Sequence, residues 1–193
     1  MKRLILSCAL AAAVAFPAMA ALKQGDAAPD FTAPASLAGK EFKFSLKDAL
    51  KKGPVVVYFY PSAYTQGCNL QAHTFSVNKE KFDAAGATII GVSLDSIARL
   101  NEFSADPEYC AGKIAVASDA DGAIAKSYNI SIREIPATAK DSRGKEIGHA
   151  LAERVTFIVG RDGKVAATVG GQGVNPTANV EQSLAEVEKL KKG

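Results

Sequence analysis

Histidine and cysteine are scarce in this 193-residue chain, which has two of the first and three of the second. His73 and His149 lie far apart and neither belongs to a metal-ligand motif, so no metal and no cofactor is assigned. A Cys-x-x-Cys redox dithiol is missing, because Gln71 stands three residues after Cys68; Ala72 likewise rules out a Cys-x-x-x-Cys copper site. Net charge is also small. Setting aside Lys2 and Arg3 leaves 21 of the 23 basic side chains against 20 acidic ones, which argues against nucleic acid as a partner. No apolar run reaches the roughly 20 residues that a bilayer span needs.

The one sustained apolar run, Leu4 to Phe16, follows Lys2-Arg3 and precedes Pro17 and Ala18-Met19-Ala20. These are the three regions of a secretory signal, so residues 1–20 are expected to be cleaved after Ala20 and the remainder exported to the periplasm, free of the membrane. Cys8 leaves with that segment. Residues 21–193 then form one α/β domain that keeps two cysteines, Cys68 and Cys110, in an oxidising compartment. Count alone favours a single static disulfide, so the local sequence has to decide.

Residues 21–49 read as irregular chain and a hairpin around Glu41-Phe42-Lys43-Phe44. Pro54 to Tyr60 is a β-branched and aromatic run stopped by Pro61, the pattern of a strand buried on both faces. A helix over 68–84, a second buried strand over 87–94 and a helix over 96–105 follow. A short strand at 113–117 and a helix over 120–128 lead into a polar stretch reaching Glu153. Strands at 155–159 and 164–169 flank Asp162-Gly163 as an antiparallel hairpin, and an amphipathic helix carrying Val180, Leu184 and Val187 ends the chain. This order resembles the thioredoxin-like fold, a central mixed β-sheet flanked by helices, with an N-terminal extension and an inserted segment. Fold alone does not give function.

The segment Pro61-Ser62-Ala63-Tyr64-Thr65-Gln66-Gly67-Cys68 leaves a buried strand and sets its cysteine at the start of a helix. A thiol attacks only once deprotonated, and the helix end favours the anion by about 0.3 to 2 kcal/mol. That falls short, so a nearby cation is required. Pro61, Thr65 and Cys68 match P-x-x-x-T-x-x-C, Ala28-Pro29-Asp30-Phe31 lies upstream and Arg154-Val155-Thr156-Phe157-Ile158-Val159 downstream. On these three ordered matches the chain resembles the peroxiredoxins, nearest to the bacterioferritin-comigratory (Q-type) branch, although Tyr64 and Gln66 depart from that branch's acidic-Thr-Pro pattern.

The resemblance implies a thiol peroxidase in which Cys68 attacks hydrogen peroxide or an organic hydroperoxide. It makes Thr65 a hydrogen-bonding partner of the peroxide, Arg154 the cation and Pro61 a shield. Thr65 taken by itself reads equally as a helix cap. The Gly67 and Cys68 amides are further candidate donors, and Gln71 either orients Arg154 or lies on the helix surface. Arg133, Arg143 and Arg161 are alternative cations whose default is solvated surface, and His73 and His149 default to surface or hydrogen-bonded structural roles.

The sulfenic acid left on Cys68 needs a second thiol. His73 occupies the place, five residues on, where many Q-type members carry theirs, which leaves Cys110 in Pro107-Glu108-Tyr109-Cys110-Ala111-Gly112. Cys110 is expected either to resolve the sulfenic acid after local unwinding or to serve as a structural, buried or intermolecular thiol. The expected partners are a peroxide and a thioredoxin-like or small-thiol reductant, for a monomer or homodimer. The competing functions are an exported thioredoxin-like thiol-disulfide oxidoreductase, a copper-binding protein of the same fold, and a purely structural domain.

Overall fold

The structure, a computed structural model, describes residues 21–171 and 173–192. The expected signal segment, Cys8 included, lies outside these residues. No helix among them is long and apolar enough to cross a membrane.

Seven strands form one mixed sheet: β1 (Thr32–Leu37), β2 (Lys40–Ser45), β3 (Val55–Phe59), β4 (Thr88–Ser93), β5 (Ala115–Ser118), β8 (Val155–Val159) and β9 (Val165–Gly170), in the order β2-β1-β5-β4-β3-β8-β9. Strands β6 (Ile132–Arg133) and β7 (Leu151–Ala152) make a separate two-stranded ribbon. The helices are α1 (Leu46–Leu50), α2 (Gln66–Ala84), α3 (Ile97–Ala105), α4 (Ala123–Ser127) and α5 (Pro176–Lys192).

Burial of β3 on both faces explains the lack of polar residues in its run. Val55, Val57 and Phe59 enter one apolar cluster with Phe31, Leu46 and Tyr128, while Val56, Tyr58 and Tyr60 enter the other with Phe75, Phe103 and Val187. β3, β4 and β5 run parallel and step across the sheet in one direction, so the crossovers α2 and α3 fall on the same face. The β8-β9 hairpin adds antiparallel to the other side of β3, and α5 returns beside α2 through Val180 and Val187. The N-terminal extension is the β1-β2 hairpin, joined antiparallel to β5.

Three expectations shift. The helix expected over 120–128 begins only at Ala123, because Gly122 takes a left-handed φ of +68° and the turn before it bonds Gly122 N–H to Asp119 O at 2.9 Å. Asp119 then caps the helix by accepting from Ile124 and Ala125 N–H. The strand expected at 113–117 moves to β5, since Lys113 and Ile114 N–H are bonded back to Cys110 O. The polar stretch from 129 to 153 is ordered by the β6-β7 ribbon and by an isolated bridge between Lys140 and Glu146.

Candidate active site

Strand β3 gives way to a turn at Pro61, and the chain re-enters regular structure with Thr65 at the N-cap of α2 in extended conformation. Cys68 is the third residue of that helix and is only 2% exposed. Thr65 caps with its carbonyl, which accepts from Cys68 N–H at 2.9 Å and Asn69 N–H at 2.8 Å. The Cys68 amide, expected as a donor to the peroxide, is therefore occupied, whereas Gly67 N–H has no acceptor among the described residues. The Thr65 hydroxyl makes no side-chain cap. It donates to Ser62 O at 2.8 Å, which leaves its lone pairs to accept from a bound molecule.

Arg154 directly precedes β8, and β8 pairs with β3 so that Val155 lies opposite Phe59. The guanidinium thus emerges at the sheet end where the Cys68 turn begins. Its Nη2 donates to Cys68 Sγ at 3.3 Å. Gly67 makes this approach feasible, since a Cβ there would lie 3.1 Å from Nη2. Nη1 donates to Gln71 Oε1. Gln71 Nε2 in turn donates to Asn179 Oδ1 at 2.8 Å, as does the Thr156 hydroxyl at 2.7 Å, and Asn179 Nδ2 donates to Val169 O at 3.1 Å. Gln71, Thr156 and Asn179 are fully buried, so the helix-surface reading of Gln71 fails and the reading as a holder of Arg154 stands. The set fixes a cation beside a sulfur at a helix N-terminus, where both stabilise negative charge on sulfur. Pro61 and Arg154 line one wall of a groove of about 430 Å³ that also includes Arg133, Leu151 and Val174.

Cys110 belongs to the same apolar cluster as Cys68, and both are free thiols. Burial, then the nearby Asp106 carboxylate, pushes the Cys110 thiol well above its ordinary range. Its turn is held by Ala111 N–H on Asp106 O and Gly112 N–H on Ser104 O, and His73 bonds through Nδ1 to Glu108 O at 2.9 Å. Ala111 and Gly112 both have positive φ.

A second group of polar side chains lies behind the Cys68 turn, and sequence reasoning missed most of it. Asp95, fully buried just beyond β4, accepts from Ala63 N–H, Ser62 Oγ and Ser93 Oγ, and pairs with His149 and Arg99. Burial alone would raise the Asp95 carboxyl, but the bond and charge of His149 and the donors from Ala63 and Ser93 outweigh it and hold it below its ordinary value. Arg143, expected to be solvated, is instead paired with Asp141 and Glu102 and lies over the Tyr64 ring at 3.2 Å. Its own turn is folded back by Asp141, which accepts from Arg143 and Lys145 N–H. Arg161 bonds Lys51 O at the β8-β9 turn and Arg133 is exposed on β6, so neither is the cation that contacts the sulfur. The available hint was Ser93-Leu94-Asp95, a carboxylate at the exit of a buried strand.

A thioredoxin-type sheet with a buried thiol at a helix N-terminus and a guanidinium against it defines a class of thiol-based redox proteins. The AhpC/TSA family profile matches residues 24–168. The chain belongs to this family, the peroxiredoxins, and is a thiol-dependent peroxidase. It is 29% identical over 169 residues to the chloroplastic peroxiredoxin Q of Oryza sativa subsp. japonica, covering 88% of this chain and 68% of that one. To the peroxiredoxin Bcp of Xanthomonas campestris pv. campestris it is 33% identical over 111 residues, 58% of this chain and 62% of the other. Among solved structures, peroxidoxin BcpB from Mycobacterium tuberculosis superposes with a TM-score of 0.72 at 26% identity, covering 88% of this chain and 98% of that one.

Proposed function

We propose that Cys68 is the peroxide-reacting cysteine and that Cys110 resolves its oxidised form. The observation that carries this is the 3.3 Å contact from Arg154 Nη2 to Cys68 Sγ at the first turn of α2. The thiolate attacks one oxygen of the peroxide and the O–O bond breaks. Cys68 becomes a sulfenic acid, and the departing oxygen takes a proton and leaves as water or an alcohol. Arg154 and the Gly67 amide oppose the charge that develops on the oxygens, while Thr65 accepts the hydroxyl hydrogen of the peroxide and orients it.

Cys110 then attacks the sulfenic sulfur, forming the disulfide and releasing water. Because Cys110 is buried and held as a thiol, this step requires the 106–112 turn and the start of α2 to open. A thioredoxin-like dithiol or a small thiol returns both sulfurs to the reduced state and is itself oxidised. We assign the reaction to the periplasm, supported by the signal-like residues 1–20. The oxidoreductase and copper readings lack their second cysteine at Gln71 and Ala72.

Peroxide consumption by stopped flow, with thiol counting, separates the steps. Cys68→Ser is expected to abolish consumption, and Cys110→Ser to keep the first oxidation while losing turnover with a dithiol donor. Parent-like consumption by Cys68→Ser would sink the assignment.

A further inference from the structure

The turn between Pro61 and Thr65 is held by groups from elsewhere in the chain. Ala63 N–H donates to Asp95 Oδ2 at 2.7 Å, and Ala63 O accepts from Arg99 Nη2 at 2.9 Å. Tyr64 O accepts from Ser142 N–H at 2.9 Å and from the Ser142 hydroxyl at 2.6 Å. Tyr64 has a φ of +62°, which a tyrosine keeps only where its surroundings over-determine it. Thr65, the next residue, and Cys68 one turn on inherit their positions from this grip.

Two of the gripping groups, Asp95 and Arg99, are charged, and Asp95 is itself paired with His149. His149 faces two acceptors, Ala150 O at 2.7 Å from Nδ1 and Asp95 Oδ1 at 2.8 Å from Nε2. A carbonyl and an ionised carboxylate only accept, so this geometry is the one an imidazolium satisfies, with both ring nitrogens donating and the Ser62 hydroxyl 3.4 Å from Nε2. A neutral ring has one bare nitrogen, and either tautomer would set a lone pair against an oxygen less than 3 Å away. The ring would have to move.

Around this pair stand Ser62 from the turn, whose hydroxyl shares Asp95 Oδ1, and Arg99 from α3, 2.9 Å from the same oxygen. Arg99 also pairs with Asp141, which Arg143 neutralises, and Arg143 reaches on to Glu102. Asp95, His149, Arg99, Asp141, Arg143, Glu102 and Lys145, which lies 3.5 Å from Glu102, are thus the charged members of one cluster. Only His149 has an ordinary pKa near neutrality.

We infer that Asp95 and His149 are positioning residues for the peroxide-reacting turn, and that loss of the His149 proton loosens Asp95 and, through Ala63, the alignment of Thr65 with Cys68. This rests on Cys68 as the reacting thiol. The second-order rate constant with hydrogen peroxide would then fall on the alkaline side, by about tenfold given the sensitivity of catalysis to sub-ångström misplacement.

The test measures that rate constant from pH 5 to 9.5 for the parent and for His149→Gln, whose amide keeps a donor to Asp95 but cannot titrate. The parent is expected to lose rate with a midpoint equal to the His149 titration followed by NMR, and His149→Gln to lack that fall. In Cys68→Ser, which has no peroxide chemistry, the Ala63 and Tyr64 amide resonances should shift with the same midpoint. An alkaline fall that persists in His149→Gln, a parent with no fall, or amides that ignore the His149 titration would each overturn the inference. Absence of any peroxide reaction in the parent would instead refute the assignment to Cys68, and the amide titration would still decide the coupling. If His149→Gln does not fold, the same titration decides.

Discussion

Replacing Gln71 by leucine isolates the hold on Arg154 from everything else at the site. The change keeps side-chain bulk, removes the acceptor for Arg154 Nη1 and removes one of two donors to Asn179 Oδ1. A hydrogen bond to a charged group contributes about 1.5 to 3 kcal/mol, and a guanidinium freed from Gln71 can swing away from the sulfur it now contacts at 3.3 Å. If that stabilisation is lost from the transition state, the rate constant with hydrogen peroxide should drop about 10- to 150-fold. Stability should fall by about 1 to 3 kcal/mol, because the half-buried Arg154 loses its acceptor and the buried Asn179 loses one of its two donors. The control is Thr156→Val, which removes the other donor to Asn179 without touching Arg154. It should cost about 1 kcal/mol in urea unfolding yet leave the rate within about twofold of the parent. The chain has no tryptophan, so competition with a haem peroxidase for limiting peroxide suits the rate better than intrinsic fluorescence. A folded Gln71→Leu protein whose rate stays within about threefold of the parent would refute the idea that this network sets the cation.

Two further outcomes concern stability. Gly91 in β4 is needed for room, since a Cβ there would lie 2.5 Å from Tyr58 Cζ; Gly91→Val should lower the unfolding free energy by about 1 to 3 kcal/mol or more and with it the urea midpoint, and an unchanged midpoint would count against that packing. For His149, burial would lower the pKa, but the bond and charge of Asp95 outweigh it and raise it above its ordinary 6.5. The folded state therefore gains from His149 fully below that value and loses the gain as pH rises through the raised one. Asp95 is held below its ordinary 3.8, so its contribution is present above that value and lost as pH falls through the lowered one. Urea midpoints measured from pH 3 to 9 should decline at both ends, with the alkaline decline absent in His149→Gln.

Local sequence carried most of the scaffold because the elements with the strongest patterns are those buried on both faces. The runs that became β3 and β4 could be read directly, as could the Asp162-Gly163 turn and the Val180 to Val187 spacing of α5. Errors fell where one residue's backbone preference overrode a run of weak propensities, as at Gly122. The polar stretch from 129 to 153 was illegible because, beyond its own short ribbon, its order comes from ion pairs to α3 and hydrogen bonds to the Cys68 turn, partners more than 40 residues away such as Arg99 for Asp141 and Tyr64 for Ser142.

The strand-to-helix junction at Pro61 to Cys68, and the need for a cation there, were determined by the sequence itself, because a thiol at a helix start is a local arrangement. The resemblance pointed to Arg154 as that cation, and tertiary structure supplies the physical reason that this arginine meets the sulfur. Antiparallel pairing of β8 with β3 sets Arg154 at the sheet end where the turn begins, while ion pairing draws Arg143 onto Tyr64. It likewise buried Gln71 against Asn179 and brought His149 to Asp95. Such contacts depend on the register of strands and the packing of helices distant in sequence, which no local pattern encodes.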